Sequence, residues 1–312
     1  MKKIYAIVLF VILLSCKDNS SVSSANIVSI NASNPKNTAV ENYFSSPEIP
    51  GKMTFAGEQI PLDDRDVKEK LDYEMIVNNF WHSNTILMMK RANRWFPLIT
   101  SIFKEEKLPQ DLVYIALIES GLRNVTSPAG AKGFWQIMET TGKEYGLRIN
   151  HEVDERNDVE KSTRVAAAYL KNAYQKLNSW TLAAAAYNRG MSGIERDQKR
   201  QGLENYFDLS LNNETARYVY RILAIKLIFE NPEKYGFYLK KEDLYPPYIT
   251  KKVAVDSSIT NVYEWAREQG SSIKIVRKLN PWMIGNTLEV KEGEVWDIKL
   301  PENKKQFRII GE

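Results

Sequence analysis

The sequence predicts a mainly α protein: an all-α domain over residues 65–240, followed by a small β-α-α-β module over residues 250–302. Three observations carry that expectation. Six segments place apolar residues at three- and four-residue spacing, the period of a half-buried helix. No strand-like alternation of any length occurs between Asp66 and Phe229. After Pro246-Pro247 the pattern breaks into short segments of mixed type. The helical segments are residues 66–81, 84–106, 109–120, 158–177, 180–187 and 214–229. Their stops fall at Leu108-Pro109, Gly121, Gly142, Gly146, Gly190 and Pro232. Beyond them Lys251-Lys-Val-Ala-Val255 reads as a short strand, residues 261–269 and 272–279 as short helices, and residues 289–300 as a closing β-prone stretch.

At 312 residues, 43% hydrophobic and 26% charged, the chain is long enough for one sizeable core plus a smaller partner. Lys and Arg total 43 against 39 Asp and Glu, a net charge of +4. That balance is too even for a broad basic face, and no nucleic-acid partner is expected. One Cys and two His, His82 and His151, exclude a disulfide framework, a Cys/His zinc site and a CxxC redox pair. Neither histidine lies near a nucleophile-elbow pattern. With no metal and no cofactor expected, catalysis has to rest on carboxylates, hydroxyls and amides.

The N-terminus reads as an address. Lys2 and Lys3 precede eleven apolar residues, Ile4 to Leu14, and then Ser15-Cys16. That run is shorter than the roughly 20 residues a bilayer-spanning helix needs, and its layout is that of a signal peptide. Leu13-Leu14-Ser15-Cys16 resembles the lipobox of bacterial lipoproteins, which implies lipidation of Cys16 as the mature N-terminus and a stable membrane anchor. An ordinary secreted protein with a stray Cys is the alternative. Eight Ser and six Asn in the thirty residues from Lys17 to Ser46 argue for a flexible tether, taken as residues 17–60.

One carboxylate stands out. In Pro109-Gln-Asp-Leu-Val-Tyr-Ile-Ala-Leu-Ile-Glu-Ser-Gly121, the proline suits a first helical position and the glycine an exit. Leu112, Ile115, Ala116 and Glu119 share one face of that helix. Glu119 therefore ends an apolar stripe near a helix C-terminus, and desolvation and the helix dipole both disfavour its charged form. A carboxyl kept protonated near neutral pH is what a general acid at a glycosidic oxygen requires. Turning to solvent, or pairing with Arg123, is the structural alternative. Two further stretches point the same way. Ser127-Pro-Ala-Gly-Ala-Lys-Gly-Phe-Trp-Gln-Ile-Met138 is a small-residue loop whose glycines, Gly130 and Gly133, let backbone approach a ligand. In it Trp135 either faces a sugar ring or packs in the core, and Gln136 can hydrogen-bond sugar substituents. Ala183-Ala-Ala-Ala-Tyr-Asn-Arg-Gly190 ends in Tyr187 and Asn188, the latter also readable as a plain helix cap.

Taken in order, these motifs resemble the signature of the goose-type lysozyme-like lytic transglycosylases. Val153-Asp-Glu-Arg-Asn-Asp158 and Glu214-Thr-Ala-Arg-Tyr-Val219 complete a pattern similar to the membrane-bound D-type enzymes over roughly residues 70 to 240. The resemblance implies a lysozyme-like catalytic domain. It matches Glu119 to the single catalytic acid/base and Ser127 to a residue near the substrate's N-acetyl group. Gln136 and Met138 match groove residues, Tyr187 and Asn188 the pair beside the reacting sugar, and Glu214 with Tyr218 a supporting pair. Two departures occur. Phe134-Trp135 replaces the family's leucine-methionine or leucine-tryptophan pair, and Arg189 places a cation where alanine is usual.

Such an enzyme cleaves the β-1,4 bond between N-acetylmuramic acid and N-acetylglucosamine in peptidoglycan without water, and leaves 1,6-anhydromuramoyl ends. Two-carboxylate hydrolysis has no second matching residue here, so participation of the substrate's acetamido group is expected. A hydrolytic muramidase, or a non-catalytic peptidoglycan-binding lipoprotein, is the competing reading. Trp265-Ala-Arg-Glu-Gln-Gly270, Ile275-Val-Arg-Lys-Leu-Asn-Pro281 and Ile298-Lys-Leu-Pro301 resemble a degenerate LysM, a glycan-binding repeat, with Asp256-Ser-Ser-Ile-Thr260 in place of its usual Gly-Asp-Thr turn. The alternative is a packing appendage. The expected partners are peptidoglycan glycan strands and a membrane reached through Cys16. The expected location is the envelope of a Gram-negative-type bacterium, lipid-anchored at the outer membrane and facing the periplasm.

Overall fold

The buried middle of the molecule is α8 (Asn213–Glu230), which is apolar on nearly every side: Val219, Ile222, Leu223, Ala224 and Ile228 have no solvent-accessible surface. A helix with so narrow a polar face has to be surrounded on its other sides, and its neighbours do that. The computed structural model describes residues 45–303, 306 and 307. The signal peptide, Cys16 and tether residues up to 44 lie outside the described residues. α1 (Arg65–Phe80) starts where the Asp64 carboxylate accepts from the amides of Asp66 and Val67, and it buries Val67, Leu71 and Met75 at a four-residue repeat. α2 (His82–Glu105) follows, and then a 3-10 turn, Gln110–Val113, leads into α3 (Tyr114–Ser120). α5 (Val159–Leu177) and α6 (Trp180–Arg189) meet through alanines, Ala166, Ala167 and Ala173 against Ala183 to Ala186, all fully buried. Small side chains let the two backbones approach closely enough for the Tyr169 hydroxyl to donate to the Ala186 carbonyl at 2.9 Å.

The mainly α expectation holds, and the six expected helices are present with ends shifted by a residue or two. The segment expected from Pro109 to Ser120 divides into the 3-10 turn and α3. Two helices without a helical signature in the sequence are added: α4 (Glu139–Glu144) and α7 (Met191–Gln201). Gly142, expected as a stop, sits inside α4, where its missing side chain makes room for Ile149 and Leu147.

The tether does not extend to residue 60. Thr54–Phe55 (β1) and Glu58–Gln59 (β2) form a small antiparallel hairpin that buries Met53, Phe55 and Ile60 against the helical core. The hairpin also caps α6: the Glu58 carboxylate accepts from the Ser179 hydroxyl at 2.9 Å, the Thr181 amide at 3.0 Å and the Trp180 amide. A carboxylate at the positive end of a helix dipole satisfies amides that have no partner within the helix.

The C-terminal module has the expected order. β3 (Thr250–Val255) pairs antiparallel with β4 (Trp296–Pro301), Val253 opposite Ile298, and α9 (Val262–Glu268) and α10 (Ile273–Leu279) lie between them. Its core comprises Val262, Ala266, Val276, Leu288 and Ile298, together with one residue from the helical domain, Val153. Around Val153 the two parts are stitched together. The Glu152 carbonyl accepts from the amides of Ile284 and Gly285, and the Asp154 amide donates to the Trp282 carbonyl at 2.8 Å. The Glu152 carboxylate accepts from the Thr287 hydroxyl and from the Glu289 amide at 2.9 Å. These donors hold its carboxyl below the usual range. Replacing Glu152 with alanine is expected to cost about 2 kcal/mol, the loss of two charge-assisted bonds at a partly solvated edge. It should also accelerate hydrogen exchange at the Glu289 amide more than at amides of β3. Unchanged exchange at Glu289 would contradict the role given to that carboxylate.

Candidate active site

α3 brings Glu119 to the site in the manner its sequence dictates. Leu112, Ile115 and Ala116 are fully buried on the same face, and Gly121 ends the helix in the left-handed region at φ 59°, a conformation that glycine adopts without strain. Glu119 itself is mostly enclosed, and Oε1 accepts from the Tyr218 hydroxyl of α8 at 2.5 Å. It does not pair with Arg123, whose Nε donates instead to the Ser120 carbonyl at 3.0 Å. Burial pushes the Glu119 carboxyl up to about 7, and the Glu214 charge adds to the rise; the Tyr218 hydroxyl and the Arg221 charge pull the other way. Desolvation wins because the charged form would lose more water than one hydroxyl and one cation replace.

Tyr187 and Asn188 close the opposite wall. The Tyr187 hydroxyl donates to the Trp135 carbonyl at 2.7 Å, and the charge of Glu119 pushes both the Tyr187 and Tyr218 phenols up, on top of their burial. Asn188 is fixed at both ends of its amide: Nδ2 donates to Glu214 at 3.1 Å, and Oδ1 accepts from the Thr215 hydroxyl at 2.8 Å. Those two bonds set which way the amide faces. Glu119, Tyr187, Asn188, Glu214 and Tyr218 are therefore brought together, and Thr215 joins them without having been singled out in the sequence.

Gln136 is held by its own loop. Its Nε2 donates to the carbonyls of Gly133 at 2.8 Å and Val125 at 3.1 Å, and its backbone has φ 47°. Ser127 shapes the preceding turn, where its Oγ accepts from the Ala131 amide at 3.0 Å. Met138 is exposed at the start of α4. Among the described residues no hydrogen bond joins Ser127 or Met138 to the Glu119 cluster. Trp135 does not offer a face to a ligand. It is fully buried, stacks on Phe103 with centroids 5.5 Å apart, and donates through Nε1 to the Thr163 hydroxyl at 2.8 Å. Phe134 is likewise in the core, so the Phe-Trp pair packs inside rather than reshaping a groove wall. The Arg189 cation is turned to Asp197 of α7, 3.3 Å away.

The loop as a whole is held by a residue whose role the sequence did not reveal. Arg156 is buried, bidentate to Asp154 at 2.9 and 2.8 Å, and it donates through Nη1 to the Gly130 carbonyl at 3.1 Å. A side chain at Gly133 would meet the Arg156 carbonyl, so that glycine is required where the loop crosses this segment. The motif Val153 to Asp158 was visible in the sequence; its function as a clamp depends on contacts across 26 residues of chain. Among the described residues no group of three or more His, Cys, Asp and Glu is arranged to hold a metal ion.

Residues 98–209 match the family described as the transglycosylase SLT domain, and residues 251–304 match the soluble lytic transglycosylase C-terminal LysM-like domain. The chain carries an SLT transglycosylase domain with a LysM-like domain behind it. It is 30% identical over 239 residues to the membrane-bound lytic murein transglycosylase D of Escherichia coli (strain K12), covering 73% of this chain and 50% of that protein. It is 29% identical over 114 residues to a putative tributyltin chloride resistance protein of Alteromonas sp. (strain M-1), covering 36% of this chain and 55% of that protein. The chain spans about half the length of the curated relatives it matches. Among solved structures, the 70 kDa soluble lytic transglycosylase of Escherichia coli aligns with a TM-score of 0.37 and 22% identity, over 49% of this chain and 27% of that one. In the SLT domain, Glu119 and the loop to Gln136 fall within the matched span, while Glu214 and Tyr218 lie just beyond it.

The electrostatics of the SLT domain give two linked expectations. The folded Glu119 keeps its proton to about pH 7, whereas an unfolded glutamate releases it near 4.5. The proton therefore favours the folded state fully below pH 4.5, and that contribution is lost as pH rises towards 7. Glu119→Gln should accordingly gain stability over the unsubstituted protein as pH rises through this window. Tyr218→Phe removes a donor that favours the carboxylate, so the Glu119 midpoint should move above about 7. A carbon-detected NMR titration of the Glu119 carboxyl reads this directly, and a midpoint that stays or falls would refute the assignment.

Proposed function

We propose that the protein cleaves the bond between N-acetylmuramic acid and N-acetylglucosamine in peptidoglycan strands and leaves 1,6-anhydro ends. The observation that carries this reading is the enclosed Glu119 carboxyl, held by one phenol, with its pKa pushed to about 7. Protonated, Glu119 donates to the glycosidic oxygen, and the 4-hydroxyl of N-acetylglucosamine leaves. The muramoyl acetamido oxygen attacks its own anomeric carbon as that bond breaks. Glu119, now a carboxylate, takes the proton from the C6 hydroxyl; O6 displaces the acetamido oxygen, and the acid is regenerated. Tyr187 and Asn188 position the acetamido group, and Tyr218 holds the carboxylate between the two proton transfers. Donors and dipoles fixed before the reaction act without reorganisation, which is why Asn188 is clamped at both ends. Ser127, Gln136 and Met138 are proposed as groove residues. Glu214, the acidic neighbour that acts on Glu119, is engaged with Asn188, which favours one acid over a two-carboxylate hydrolysis.

The name of the Escherichia coli relative as a membrane-bound murein enzyme supports an envelope location; lipidation of Cys16 and glycan binding by residues 250–302 complete the proposal. Cys16→Ala should move the protein from the membrane pellet to the soluble fraction of its native host, and continued sedimentation would remove the lipid from the proposal. For the chemistry, purified peptidoglycan should yield anhydro sugar ends by mass analysis. Glu119→Gln should lower their release by about a thousandfold while the melting profile stays cooperative. Reducing ends in place of anhydro ends would favour the hydrolytic muramidase.

A further inference from the structure

We propose that Arg221 binds a carboxylate of the peptide stem borne by the muramoyl residue, in a small cavity between α8 and the Leu117-Ile118 stretch of α3; this rests on the reading of the site as one that takes peptidoglycan strands. Arg221 lies one turn beyond Tyr218 on α8, its guanidinium 5.7 Å from the centroid of the Tyr218 ring. Its Nε is wholly buried without a hydrogen-bond partner, and among the described residues the guanidinium enters no ion pair. A partly buried guanidinium with its donors unmet is costly unless something else supplies the acceptors.

The surroundings narrow the choice of acceptor. Arg221 lines a cavity of about 250 Å³ that begins at Leu117 and Ile118, the two residues before Glu119, and is edged by Asn78, Asn84 and the exposed ring of Trp81. Glu74 also reaches this cavity: Oε1 is met by Arg217 at 2.6 Å and Oε2 is buried without a hydrogen-bond partner, so two guanidinium groups face one carboxylate and the lining keeps one positive charge in surplus. A cavity smaller than the usual ligand pocket takes part of a chain rather than a free cofactor. A planar fork of donors fits a carboxylate in bidentate fashion, better than it fits a lone hydroxyl or acetamide. Sugar rings of the strand offer hydroxyls and acetamides, which are neutral; its carboxylates are on the peptide stem, next to the scissile bond. Arg221 packs over the ring of Tyr218, whose hydroxyl donates to Glu119, and its charge lowers the Glu119 pKa. Binding an anion there would partly cancel that positive field.

The test uses binding, so that it is independent of turnover. Full-length Glu119→Gln protein, with and without Arg221→Gln, is titrated with three probes: peptide-bearing glycan strands, strands stripped by an amidase (which exposes the lactyl carboxylate), and chitin oligomers, which have no carboxylate. Arg221→Gln should weaken binding of peptide-bearing strands about tenfold, equivalent to about 1.4 kcal/mol, and change chitin binding less than twofold. Arg221→Lys, which keeps the charge and loses the fork, should fall between, and serves if the glutamine variant does not fold. Equal weakening of all three probes, no weakening of peptide-bearing strands, or a larger loss on stripped strands would overturn the proposal. Failure of the unsubstituted protein to produce anhydro ends would instead count against the proposed reaction.

Discussion

The site depends on one buried ion pair that touches no part of the reacting cluster. Asp154 and Arg156 are almost fully enclosed and joined by two bonds, and Lys132 adds a third contact to Asp154 at 2.9 Å. Burial alone would raise the Asp154 carboxyl; the hydrogen bonds and charges of Arg156 and Lys132 hold it below its ordinary value. Such a pair is a weak net source of stability, since both charges forfeit their water, but breaking it leaves an uncompensated buried ion. Its effect is geometric. Arg156 receives the Gly130 carbonyl on one side, and the Asp154 amide reaches Trp282 of the C-terminal module on the other. Loop 125–138 is thereby fixed, and with it the Trp135 carbonyl that orients Tyr187.

Glu119 is a site where folding and chemistry want different things. Its apolar stripe contributes to the core, yet the last residue of that stripe is a carboxyl that the same burial keeps from ionising. The protein accepts this conflict at neutral pH and limits it with a single phenol. Desolvation and the Glu214 charge on one side, the Tyr218 hydroxyl and the Arg221 charge on the other, place the midpoint near neutrality.

How much of this was legible follows from which forces act locally. The long helices were visible because each buries a stripe, and Glu119 stood out because three- and four-residue spacing placed it on one. α4 and α7 were not: α4 contains no apolar residue, and α7 offers only Met191 and Ile194. α7 is held in part from outside its own span: Arg189 at the end of α6 pairs with its Asp197. The hairpin at residues 54–59 was hidden because two-residue strands carry no period, and the main service of Glu58 is to cap a helix some 120 residues away. Trp135 could not be assigned from its neighbours, since a tryptophan beside glycines suits a groove and a core equally. Arg221 was unreadable for the opposite reason: what marks it is the lack of a partner, and a missing partner has no signature in sequence.

The C-terminal module is best understood through Val153. A residue of the helical domain is fully buried in the module's core, and Glu152 and Asp154 on either side exchange backbone and side-chain bonds with it. Separated from that segment, residues 250–302 would expose an apolar gap, so the module is not an independent bead on a string. A domain whose core is completed by its neighbour cannot swing about a linker without opening that core. Any strand seated on the module would therefore lie at a set position relative to Glu119. Under the proposed function such a module would set where along a strand the cut falls, whereas a flexibly linked binding domain would set only how often the strand is met.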